Sequence, residues 1–143
     1  MRGNLYLSED LLCVSADIKR RILIVDDSRT MRRMVATSLA NMGHCKFEEA
    51  ANGLEAIERL VLGPADLMIL DLNMPEIHGI DVLKFVRARP MYESMPVVVL
   101  TTKGDESIRK EAMAAGASLY LTKPFTSTEL EAKVRALLAE NEG

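Results

Sequence analysis

Short apolar runs recur along the chain, and four of them stop abruptly at a charged or hydroxyl residue. Residues 21–25 (RILIV) end at Asp26 and Asp27, residues 66–70 at Asp71, residues 96–100 (PVVVL) at Thr101 and Thr102, and residues 118–121 at Thr122 and Lys123. A weaker run over residues 44–50 holds Cys45 and Phe47. Leu67, Met68, Ile69 and Leu70 show no period-two alternation. Such a run predicts a strand covered on both faces, as in a parallel sheet flanked by helices. Between the runs, apolar residues fall at helical spacing: Met31, Val35, Leu39 and Met42; Leu54, Ile57 and Val61; Ile80, Leu83 and Val86; Ile108, Ala112 and Ala115; Leu130, Val134, Leu137 and Leu138. Ser28, Asn52 and either Thr126 or Ser127 are placed to cap helices, while Gly43, Gly63 with Pro64, Pro90 and Gly116 stop them. Five βα units in succession predict an α/β fold, a doubly wound (βα)5 domain around a five-stranded parallel sheet. Right-handed crossovers leave few topologies open.

Residues 1–19 precede this alternation as an N-terminal extension, and residues 20–141 form the domain. Within the extension, Leu7, Leu11, Val14 and Ile18 share one helical face. It reads as a tail or as an extra helix that docks on the domain or on a second copy.

The length of 143 residues suits one domain, and 48% hydrophobic with 27% charged residues describes an ordinary globular core. A net charge of −3 gives no basic footprint for nucleic acid. Cys13, Cys45, His44 and His78 make neither a disulfide framework nor a zinc pattern, so the compartment reads as reducing, and the methionines read as core. Neither a membrane span nor a secretory leader is legible, which predicts a cytoplasmic location.

In open α/β sheets ligands bind beyond the carboxyl ends of the strands. Strands one, three, four and five lying side by side would bring Asp26, Asp27, Asp71, Thr101 and Lys123 to one rim. Carboxylates within ~4 Å of one another repel by roughly 4 kcal/mol per pair at an effective dielectric near 20. Lys123 supplies one compensating charge, and the oxygen ligands left over suit a hard divalent cation such as Mg²⁺. A metal that keeps displaceable waters points to phosphoryl chemistry: Asp71 attacks phosphorus, Lys123 and Mg²⁺ offset charge on the equatorial oxygens, and the Thr101 hydroxyl bonds one of them.

The segments IVDD (residues 24–27), DLNMP (residues 71–75), the Thr101 strand end and TKPF (residues 122–125), with Asp27, Asp71, Thr101 and Lys123 spaced by 44, 30 and 22 residues, together resemble a response-regulator receiver domain. The resemblance covers about residues 19–140. It implies strand order 2-1-3-4-5, for which the chemotaxis receiver is a standing example. It further implies that Asp71 accepts phosphoryl from a phosphohistidine of a sensor histidine kinase or phosphotransfer protein. Asp27, Asp71 and the Asn73 backbone carbonyl would ligate Mg²⁺, and Asp26 would act through the metal's waters. Thr101 and Tyr120 resemble a switch pair, the hydroxyl moving toward the phosphoryl group and the ring turning inward, with the signal leaving through helix four, strand five and helix five. Thr102 stands where a smaller alanine is usual, and Asn73 and Lys103 flank the path of an attacking water.

With no output domain expected after Glu140, a separate downstream effector should read the modified state. SRTMRRMV after the acidic pair favours a freely diffusing chemotaxis-type regulator, monomeric or weakly dimeric, for which a flagellar motor switch is one kind of effector. A relay intermediate or phosphate sink is the alternative, and a phosphate-independent interaction module a third. A phosphohydrolase acting on outside substrates through an aspartyl phosphate would need a second acid at position 73, where Asn73 can serve as neither general acid nor base.

Overall fold

The computed structural model describes residues 19–74, 77–102 and 104–142. Strands β1 (Arg20–Val25), β2 (Cys45–Ala50), β3 (Leu67–Leu70), β4 (Val97–Thr101) and β5 (Leu119–Thr122) alternate with helices α1 (Arg29–Ser38), α2 (Gly53–Val61), α3 (Gly79–Arg87), α4 (Glu106–Ala114) and α5 (Ser127–Glu142). All strand pairs are parallel, in the order β2-β1-β3-β4-β5, as the receiver resemblance implies. Short 3-10 turns at Ala40–Met42 and Pro90–Tyr92 follow α1 and α3. The stripe that reaches Met42 thus belongs to a helix and a turn, with Leu39 between them fully buried.

Side chains alternate between two apolar layers. On one face Leu23, Val25, Met68, Leu70, Val97 and Val99 pack against α2, α3 and α4; on the other Ile22, Ile24, Leu67, Ile69, Val98 and Leu100 pack against α1 and α5. β3 is buried at every position, which accounts for its continuous apolar sequence. Side-chain oxygens of Ser28, Asn52 and Asp105 accept from the backbone N–H groups of Met31, Glu55 and Ile108, capping α1, α2 and α4. For α5 the cap is Thr126, whose hydroxyl accepts from the Glu129 N–H at 3.1 Å.

The inward face of α2 differs from the sequence expectation. Leu54 and Val61 are 53% and 69% exposed, and the buried positions are Gly53, Ala56 and Leu60. At the start of α2 only a glycine fits, because the helix lies close against α3 and the chain leading into it: a Cβ on Gly53 would come within 2.8 Å of Ile77 and Val82 side-chain atoms. The 7–18 stripe, Pro75 and Lys103 lie outside the described residues.

Gly79, the first residue of α3, fits tightly under the end of β3. A Cβ there would stand 2.6 Å from both the Asp71 carbonyl oxygen and the Leu72 Cα, backbone atoms that cannot swing away. Gly79→Ala should therefore destabilise the fold by about 1–3 kcal/mol, the usual cost of overpacking. Gly104→Ala, which meets only a Thr122 methyl at 3.6 Å, should be nearly neutral. Urea unfolding of both variants checks the contrast.

Candidate functional site

The carboxyl ends of four strands build the site. β1 ends in Asp26, whose backbone N–H donates to the Ala50 carbonyl of β2 at 3.1 Å, and Asp27 follows on the exposed side. β3 ends in Asp71, its N–H donating to the Val25 carbonyl at 2.9 Å. β4 ends in the fully buried Thr101, and the Lys123 N–H after β5 donates to the Thr101 carbonyl at 2.9 Å. Main-chain bonds of the sheet thus hold the acidic, hydroxyl and lysine residues in one corner, with little left to side-chain choice.

Asp26 and Asp71 are only 4% and 5% exposed, a burial that carboxylates rarely tolerate without partners. Lys123 provides the charge: its Nζ donates to Asp26 Oδ2 at 2.7 Å and lies 3.7 Å from Asp71 Oδ2. Each carboxylate also closes a local turn. The Ser28 N–H donates to Asp26 Oδ1 at 2.9 Å, and the Asn73 N–H to Asp71 Oδ1 at 3.2 Å. Asp71 does not cap α3, since His78 holds that position. Burial raises the Asp71 carboxyl above its ordinary value. The Asn73 amide, the Lys123 ammonium and a hydrogen bond with Thr101 pull it back, and the neighbouring Asp26 charge adds to the rise.

Ligand oxygens of Asp26, Asp27 and Asp71 lie within 4.8 Å of one another. Among the described residues the set is all oxygen, negatively charged and only partly offset by Lys123, so it fits a hard cation such as Mg²⁺ and would suit a soft transition metal poorly. Asn73 sits exposed beside it, with its amide tied to Asp71.

Asp26, Asp27, Asp71, Thr101 and Lys123 therefore occupy one rim, whereas Tyr120 stands apart. Tyr120 is a buried β5 residue in the layer beneath α4, with the Arg109 guanidinium 5.8 Å from its ring centre. Thr102 is exposed. A contributor that residue patterns did not reveal is Arg32 of α1: Nη1 donates to the Asp26 carbonyl at 2.6 Å and Nε to Glu49 Oε1 at 2.7 Å. It ties the acidic loop to β2. The only sequence signal is an arginine one helical turn beyond the Ser28 cap.

Residues 22–135 match the family model of the response regulator receiver domain. The chain is 39% identical over 124 residues to a chemotaxis protein CheY homolog of Campylobacter jejuni, covering 86% of this chain and 95% of that protein. It is 37% identical over 123 residues to chemotaxis protein CheY1 of Helicobacter pylori, covering 85% and 99%. The crystal structure of the chemotaxis response regulator CheY4 of Vibrio cholerae superposes with a TM-score of 0.77 at 34% identity, over 83% of this chain and 98% of that one. Among the described residues no helix is long and apolar enough to cross a membrane. With the strand order, the acidic rim and these relatives in agreement, the chain belongs to the response regulator receiver domain family and is CheY-like.

Proposed function

We propose that this protein is a phosphorylation-operated signalling switch whose phosphoacceptor is Asp71. The observation that carries the reading is the buried Asp71 carboxylate standing beside Asp26, Asp27, Thr101 and the Lys123 ammonium. A phosphohistidine of a sensor kinase or phosphotransfer protein is the donor. An Asp71 oxygen forms the new P–O bond as the P–N bond breaks, and the electron pair stays on the imidazole nitrogen, which takes a proton. Lys123 offsets charge that spreads over the transferring oxygens, and Thr101 donates a hydrogen bond to one of them. Asp27, Asp71 and the Asn73 carbonyl would hold Mg²⁺, with Asp26 acting through its bound waters, and the ion would supply further neutralisation of phosphoryl charge.

Thr101 and Tyr120 carry the response outward. Thr101 is paired with Thr122 across β4 and β5, and Tyr120 lies on β5 between the sheet and α4. A displacement of the hydroxyl toward a phosphorylated Asp71 reaches the α4–β5–α5 face through these neighbours. A two-state element of this kind responds to the new charge by a shift of population. An effector protein reads that face in the cytoplasm, and the names of the relatives favour chemotaxis-type signalling.

Incubation with Mg²⁺ and a small acyl-phosphate donor should add one phosphoryl group by intact mass. Asp71→Ala or chelation should abolish incorporation, and Thr101→Ala should slow it by roughly 10²-fold, as for loss of one preorganised donor. Incorporation that persists in Asp71→Ala would overturn the assignment.

The raised Asp71 carboxyl also has a stability signature. The folded state holds this proton more tightly than the unfolded chain does. Its stabilising contribution is complete below the unfolded value and is lost as pH rises through the folded one. In chelator at neutral pH, Asp71→Asn should therefore raise Tm by on the order of a few degrees, and the gain should shrink on acidification. Mg²⁺ should stabilise the native chain more than Asp71→Asn, because the ion binds only the folded site. Calorimetry across pH, with and without Mg²⁺, reads both effects.

A further inference from the structure

The end of the sheet opposite Asp71 carries a groove of about 420 Å³. Met42, Cys45 and Leu138 line it, with His44, Arg20 and Arg135 around them. Met42 and Cys45 pack against the apolar layer under α1 and α5 yet remain partly uncovered. The arginines are anchored by carbonyls: Arg20 Nη1 donates to the Leu138 oxygen at 3.5 Å and Arg135 Nη2 to the Asn41 oxygen at 3.3 Å. Arg135 also pairs with Glu131 at 2.8 Å. Both guanidinium groups act on the Cys45 thiol, which burial raises and they lower. The groove therefore joins apolar side chains to two guanidinium groups at its rim, that of Arg135 also paired with Glu131.

The described residues begin at this groove. Lys19 is exposed, and Arg20, the next residue, is both the first residue of β1 and part of the groove wall. Residues 1–18 contain the stripe Leu7, Leu11, Val14 and Ile18, and carry Glu9, Asp10 and Asp17 against a single arginine, Arg2. In helical register Asp10 and Asp17 flank one side of that stripe. A helix from Leu7 to Ile18 would measure about 16 Å, and a stripe tethered at Lys19 would meet the groove at an effective concentration in the mM range.

We infer that residues 1–18 dock back on their own domain, setting the Leu7–Leu11–Val14–Ile18 stripe against Met42, Cys45 and Leu138 and their acidic flank beside Arg20 and Arg135. The site of this contact is the amino end of the sheet, so it leaves the Asp71 rim open. Proximity of the tether, matching apolarity and opposite charge all select this occupant over an unlinked one.

Cys45 reports the contact directly. Native full-length protein is treated with N-ethylmaleimide, and modification of Cys45 is followed by peptide mass, with Cys13, off the stripe in helical register, as the reference thiol. Leu11→Asp/Val14→Asp in the full chain should speed Cys45 alkylation about tenfold or more, the scale of an opened local contact. Asp10→Lys/Asp17→Lys should speed it several-fold. Both variants should still take up phosphoryl at Asp71, showing an intact domain. Equal Cys45 rates in all three proteins would overturn the inference, showing a groove already open. Protection that disappears on dilution, with a dimer mass by light scattering, would overturn it in favour of a second copy.

Discussion

The bond on which the arrangement depends is the buried contact between Lys123 and Asp26, at 2.7 Å. Three carboxylates converge at one rim, two of them nearly inaccessible, and each pair repels. Among the described residues a single ammonium, that of Lys123, stands between Asp26 and Asp71 and makes that tolerable while leaving an excess of negative charge. Losing one partner of such a pair costs on the order of 3–5 kcal/mol, because the other charge stays buried. The excess is equally informative. A fully neutralised site would have no use for a cation, whereas the uncompensated oxygen charge of this one suits Mg²⁺.

The sheet brings these groups together across large sequence distances. Neighbouring strands in the order β2-β1-β3-β4-β5 place the ends of β1, β3, β4 and β5 side by side, and parallel pairing puts every end on the same edge. The backbone bonds Asp71 N–H to Val25 and Lys123 N–H to Thr101 fix the depth at which each functional residue emerges. Gly79 and Arg32 then set the loops, one by letting α3 close under β3 and the other by tying the acidic loop to Glu49. The arrangement of the candidate site is thus largely a property of main-chain register.

Much of this was legible in the sequence, because both signals are local. An apolar run buried on both faces followed by Asp71 marks a strand end wherever its neighbours lie, and residues 21–25, 96–100 and 118–121 repeat the pattern. The inner face of α2 was not legible in the same way. Two helical rows compete there, and hydrophobicity favours Leu54 and Val61, whereas close approach to Ile77 and Val82 requires Gly53, which is buried with Ala56 and Leu60. Arg32 escaped for another reason: its partners are a carbonyl and a carboxylate on other elements, and spacing along one helix carries no trace of them. The groove beside Arg20 likewise depends on β2 and α5 meeting at the sheet's end.

The most direct test of the account is the chemical location of the phosphoryl group. Protein phosphorylated in Mg²⁺ would be reduced with borohydride, which converts an aspartyl phosphate to homoserine, and then digested and mapped by mass. Homoserine is expected at position 71 and nowhere else. Homoserine at position 26 or 27, or a phosphoryl group that resists reduction because it sits on a hydroxyl such as Thr101, would contradict it.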